Sequence, residues 1–206
     1  ESFDSQDRQL LAIDYQNYLE SFYNQVKVST NSDWQDRITV HLIDNDPESV
    51  WQSDRVLWVD KTTTINLSLV KIEEINRVIW INGFPNNTPT DYSIEVSVNG
   101  TDWKQVKHVN NFRRINGVEP NIESFDSVPA KYIRFIIRDT AGDSPAIAEM
   151  WVVPTRFESL DIEEINTYLA NPFIKVASEN QYMQILHALQ RTGTAQLFWM
   201  TDKSPL

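Results

Sequence analysis

At 206 residues the chain is long enough for one large domain or a domain with an appendage, and it can bury a core without disulfides as staples. Eighteen Lys and Arg against 29 Asp and Glu leave a formal net charge of −11, a field that repels phosphate backbones and anionic lipids, so nucleic acid is not an expected partner and a phospholipid surface ranks low. There is no cysteine and no run of about 20 apolar residues; the chain opens on Glu1 without Met and reads as a mature or excised fragment of a longer parent.

The first predicted element runs from Ser5 to about Lys27. Leu11, Tyr15, Tyr18, Leu19, Phe22 and Val26 recur at helical spacing. The polar side lacks the Lys and Arg of a membrane-surface helix, so this helix is expected to lie on its own domain. Residues 1–30 are assigned to this N-terminal helical segment.

From about Thr39 to Val153 the period changes to two. Thr64–Leu69, Ser93–Val98 and Tyr132–Ile136 alternate side chains as half-buried strands do. Asn99-Gly100, between Ile94–Val98 and Trp103–Val106, is a hairpin signal in which both central residues can take positive φ. Short strands without intervening helices predict a mainly β fold, an antiparallel jelly-roll β-sandwich over residues 31–154. Pro154 ends the series. Residues 155–206 form a C-terminal helical segment, with helical spacing over Asp161–Ala170 and Ser178–Arg191 and a capping-box start at Ser178 and Gln181.

Several stretches in this order resemble one known family. His41–Trp51 resembles its signature of a strand running into an acidic turn, then Ser or Thr, then Trp; Ile75–Trp80 resembles its next core strand. Tyr92–Val106 resembles its hairpin, closing Trp included, and Ala130–Phe135 and Ile147–Val152 resemble its last two strands. Over residues 35–153 the chain thus resembles the discoidin, or coagulation factor 5/8 type C, family of galactose-binding-like sandwiches. The absence of a disulfide leans it toward microbial carbohydrate-binding modules. The resemblance implies a non-catalytic recognition module of a larger exported or membrane-anchored protein, extracytoplasmic in location, with carbohydrate as the ligand. The alternative is a structural or protein-interaction domain linking neighbouring domains or transmembrane segments.

The resemblance also implies ligand loops at one end of the sandwich, matched by Gln52–Asp60, Gly83–Thr90 and Asn110–Val118. A sugar needs an aromatic face and directed hydrogen-bonding groups. These loops offer Arg55, Trp58, Phe84, Asn86, Asn87, Phe112, Arg113 and Arg114. Trp58 stands in a longer loop than the family usual, although a Trp folded back onto the core is the commoner outcome. Trp51, Trp80, Trp103 and Trp151 are assigned to core packing, and Arg134 to a structural ion pair.

Relatives hold a structural calcium at the acidic turn, completed by a Glu in the last strand. Asp44, Asp46, Ser49 and Glu149 stand at those places, and oxygen donors of this kind suit Ca2+. An Asx turn in which Asp44 merely accepts backbone N–H bonds is the level alternative. Asn45 replaces a family glycine, which Asn can do by tolerating the left-handed region. No catalytic pattern is present: His41, His108 and His187 lack metal-ligand spacing, and neither a nucleophile elbow nor a phosphate-cradling glycine loop occurs.

Overall fold

The computed structural model describes residues 5–56, 62–112 and 120–160; the C-terminal helices expected within 161–191 lie outside them. Among the described residues seven strands form one hydrogen-bonded antiparallel sheet: Lys27–Thr30 (β1), Trp51–Gln52 (β2), Thr63–Asn82 (β3), Pro89–Ser97 (β4), Lys104–Val109 (β5), Asn121–Thr140 (β6) and Ala146–Pro154 (β7). The sheet starts at Lys27, a little before the boundary expected at residue 31.

Two long strands turn this sheet into a jelly-roll sandwich. β3 and β6 pair along both halves, but the register breaks between Ser68 and Glu73, where Val70 and Ile72 are exposed. Before the break β3 pairs with β1 and with Tyr132–Ile137 of β6, which in turn pairs with β4, and β4 with β5. After it β3 pairs with Asn121–Ala130 of β6 and with β7, and β7 with β2. The bend therefore hands each long strand from one layer to the other.

Burial reports which layer has one dry face and which has two. β3 alternates buried and half-buried up to Leu69, then is buried at every residue from Ile75 to Asn82; β7 is buried throughout. Trp80 packs edge-on against Tyr92 and Phe135 of the other layer, so it points into the sandwich. Met150 is its cross-strand partner and shares that face, which leaves Trp151 and Glu149 on the outer face.

That outer face is covered by the helix Ser5–Gln25 (α1). Trp151 Nε1 donates to Tyr15 Oη at 3.2 Å, and Tyr18 Oη donates to the Val152 carbonyl at 2.6 Å. Phe157 packs against both tyrosines. The helix predicted from Leu11–Val26 is thus present, and Tyr15, Leu19 and Phe22 are its buried stripe.

The structure corrects three local readings. Thr39–Leu42 is a single 3-10 turn rather than a strand, because its N–H groups bond within the turn, His41 to Ile38 and Ile43 to Val40. At the hairpin tip Gly100 has positive φ and Asn99 does not. The tip is a longer loop, in which Asn99 Oδ1 accepts from the Thr101 and Asp102 N–H groups. Trp103 is not core: it is half-buried beneath the Arg134 guanidinium, 4.2 Å from its ring centre. Trp51, Trp80 and Trp151 are fully buried, and Arg134 pairs with Glu95 as expected.

Candidate functional site

The loops at the start of β4 and the end of β2 meet the turn between β6 and β7. Gly83 N–H bonds the Ala146 carbonyl, Ser53 N–H the Pro145 carbonyl, and Ala141 N–H the Thr88 carbonyl. Asn87 Nδ2 donates to the Ser144 carbonyl at 2.5 Å, and Gln52 Nε2 donates to Ser144 Oγ at 3.0 Å. Gly142 lies against the Asn86 carbonyl so closely that an added Cβ would stand 2.0 Å from that oxygen. Three separated segments are thereby locked into one surface.

A fourth segment joins them. Trp34 N–H bonds the Gln52 carbonyl and Gln52 N–H bonds the Arg37 carbonyl, with Gln35 at φ 52° inside the turn. Arg37 then donates to Gln52 Oε1, and its guanidinium lies 4.5 Å from the Phe84 ring centre. Trp34 is 41% exposed, more than any other Phe, Tyr or Trp among the described residues. Asp33 Oδ1 anchors the turn by accepting from Thr30, Thr39 and the Trp51 indole. Burial raises the Asp33 carboxyl, but the hydrogen bonds from Thr39, Thr30 and Trp51 outweigh it and hold the group below its ordinary value.

Of the ligand residues predicted from sequence, Phe84, Asn86 and Asn87 meet at this end. Phe84 offers less than expected, since Arg37 covers one face of its ring. Arg55 follows β2, its N–H bonded to Ser53 Oγ and its Nε buried without a partner among the described residues. Phe112 leans inward onto Trp80 and Tyr92, at ring separations of 5.5 and 6.1 Å. Trp58, Arg113 and Arg114 lie outside the described residues. Trp34, Arg37, Gln52 and Ser144 were not singled out by sequence; an indole at a turn has no local mark that separates exposure from burial. A groove of about 370 Å³ lined by Tyr18, Phe22, Leu69 and Arg156 shares no residue with this end.

The acidic turn lies against β7's outer face. Asp44 accepts from Asp46 N–H at 3.1 Å and from Ser49 Oγ at 2.7 Å; Asp46 accepts from Glu48 N–H at 3.0 Å. Asn45 has φ 60°, the left-handed conformation expected of it. The Asx hydrogen bonds are therefore formed. Glu149 is 3% exposed, and among the described residues no side chain hydrogen-bonds its carboxyl oxygens. Burial, then the Asp44 charge, pushes its pKa up to about 9; hydrogen bonding from the Met150, Asn45 and Asp46 N–H groups offsets part of this. Among the described residues no three His, Asp or Glu side chains converge. A cation here would take the carboxylates of Asp44 and Glu149 with neutral oxygens, and the buried Glu149 carboxylate fits that role.

The model of the F5/8 type C domain family matches residues 24–150. The search of curated proteins found none that matches. Among solved structures, the chain is similar to a carbohydrate-binding module of Clostridium perfringens in complex with GalNAc-β-1,3-galactose, with 19% identity and TM-score 0.56 over 64% of this chain and 96% of that one. It is also similar to a module of a family 31 glycoside hydrolase from the same organism, with 20% identity and TM-score 0.57 over 65% and 94% of the two chains. A third, the NanJ family 32 module of C. perfringens in complex with galactose, has 17% identity and TM-score 0.55 over 64% and 95%.

Proposed function

We propose, from the premise that this chain belongs to the F5/8 type C domain family, that it is a non-catalytic carbohydrate-binding module of a larger exported or membrane-anchored protein, acting outside the cytoplasm. The observation that carries the reading is the surface built from Trp34, Arg37, Gln52, Asn87 and Ser144. An exposed indole offers the apolar face that a pyranose ring stacks on, and the amide and guanidinium groups fixed beside it are suited to directed hydrogen bonds with sugar hydroxyls. The galactose and GalNAc complexes of similar modules make a galactose-type sugar the first ligand to test.

The Arg37 cover on Phe84 favours the second reading, a structural or protein-interaction domain, because it takes an aromatic face away from a sugar. In either reading Asp44 and Glu149, with Ser49 and Asp46 in the turn, are the residues that would hold Ca2+. When bound, the ion would neutralise two carboxylates and tie the turn to β7.

A glycan array probed with the whole chain, in calcium and in chelator, tests the function. The expected outcome is binding to terminal galactose or N-acetylgalactosamine, lost in Trp34→Ala with the near-UV circular dichroism kept. A buried Trp would instead cost about 3 to 5 kcal/mol on truncation. No glycan bound in either condition refutes the carbohydrate reading and leaves the scaffold.

A further inference from the structure

With 29 Asp and Glu against 18 Lys and Arg, a surface guanidinium of this chain has carboxylates in excess around it. Arg134 pairs with Glu95, Arg138 lies 3.7 Å from Asp91, and Arg156 lies 2.8 Å from Glu73 and 3.7 Å from Asp14. Arg77 is buried and donates to the Phe157 carbonyl at 2.7 Å. Arg37 and Arg55 differ from all of these. Both are half-buried at the loop end, and neither has a carboxylate within ion-pair distance among the described residues. Asp36 and Asp54 stand next to them in sequence, exposed, and pair with neither.

Arg37 is also held in place. Its guanidinium lies over the Phe84 ring, 4.5 Å from the centre, and its Nη1 donates to Gln52 Oε1. Gln52 is itself fixed on three sides: its N–H bonds the Arg37 carbonyl, its carbonyl accepts from the Trp34 N–H, and its Nε2 donates to Ser144 Oγ at 3.0 Å. The other N–H donors of the Arg37 fork have no partner among the described residues. A guanidinium presents paired donors whose spacing matches the two oxygens of a carboxylate, and fixing it in advance lowers the side-chain entropy that the contact costs. The exposed Trp34 belongs to the same turn, which the Arg37 N–H closes on the Trp34 carbonyl at 2.8 Å.

We propose that the loop end selects an acidic sugar, a galactose-type ring stacked on Trp34 whose carboxylate, as in a hexuronate, is received by Arg37. The inference rests on the carbohydrate reading above and narrows it from a neutral ligand to a charged one. A half-buried guanidinium without a counter-charge is relieved by a ligand carboxylate, and only in part by a hydroxyl. A polyanion would bring further charges against the exposed Asp36, Asp54 and Asp143 of this end, and the net charge of −11 opposes it. A single carboxylate in contact with Arg37 meets that attraction directly, while charges beyond about 8 Å are screened at physiological salt. The ligand class is thus a sugar with one carboxylate and not a polyuronate.

The test uses the whole chain and the methyl glycosides of galacturonic acid, of its methyl ester and of galactose, titrated at physiological salt by calorimetry or ligand-observed NMR. The acid is expected to bind roughly five- to tenfold tighter than the ester, which keeps the ring and removes the charge. In Arg37→Gln, with its fold checked by near-UV circular dichroism, that preference should vanish. Should the variant fail to fold, acid against ester on the unmodified chain decides alone. An acid that binds no tighter than the ester and galactose, or a preference that persists in Arg37→Gln, overturns the inference while the carbohydrate reading stands. Binding of none of the glycosides overturns it too, and the glycan array then decides the carbohydrate reading separately.

Discussion

Replacing Gly142 by Ala probes how the loop end is assembled. The new methyl carbon would stand 2.0 Å from the Asn86 carbonyl oxygen and 3.2 Å from its carbon, both backbone atoms that cannot rotate away. An ordinary contact needs more than 3 Å, so the 85–87 turn and the 141–145 loop must part by about an ångström. The bonds that join them are Ala141 N–H to Thr88 O at 2.9 Å, Thr140 Oγ1 to the same oxygen at 2.9 Å, and Asn87 Nδ2 to Ser144 O at 2.5 Å. Stretching two of the three beyond use costs about 2 to 3 kcal/mol at about 1 to 1.5 kcal/mol each. For a chain of this size the melting temperature should fall by roughly 4 to 12 °C. Gly100→Ala is the control: it meets nothing closer than 3.5 Å, and only its φ of 81° opposes the methyl, a cost of about 1 kcal/mol. Differential scanning calorimetry of the two variants decides the matter. A Gly142→Ala protein that melts no lower than Gly100→Ala would refute the reasoning, because the two loops would not then be locked together.

Asp33→Asn should lower the melting temperature at neutral pH, since the carboxylate gathers the Thr30, Thr39 and Trp51 donors. The carboxyl is held below its ordinary 3.8, so its contribution is present above that pH and lost as pH falls through the folded-state value. Melting curves of the two proteins should therefore converge in acid, and a gap that persists there would count against the assignment. Tyr15→Phe removes the acceptor of the buried Trp151 indole N–H and should destabilise by about 1 to 3 kcal/mol in denaturant unfolding; an unchanged midpoint would mean that α1 is not anchored there.

Sequence made the strand positions legible where the chemistry is local. Ser93–Val98 alternates, Asn99-Gly100 turns the chain, and Trp51, Trp80 and Trp151 sit at strand positions that are wholly buried. It did not show that Thr63–Asn82 is one strand, because Val70 and Ile72 at the bend are apolar yet exposed and break the alternation. The acidic turn was readable because Asp44, Asp46 and Ser49 bond within five residues of each other. The surface around Trp34 was not. Arg37 meets Phe84, and Gln52 meets Ser144 across 92 residues, and only the folded chain brings such partners together.

The helix is the intermediate case. Its amphipathic spacing predicts that it lies on its own domain, but says nothing of where. The sequence Ala146–Pro154 carries the complementary signal: apolar residues on both strand faces, interrupted by Glu149. In a two-layer sandwich a strand faces the core on one side only, so a strand apolar on both sides calls for a third layer. The described structure supplies it with α1, where Tyr15 and Tyr18 take up the indole N–H of Trp151 and the carbonyl of Val152. Glu149 is then covered because its strand is covered. A carboxylate under such a cover is driven toward its protonated form, and the Glu149 pKa, pushed up to about 9 by burial, is the consequence of that third layer and the acidic turn closing over β7.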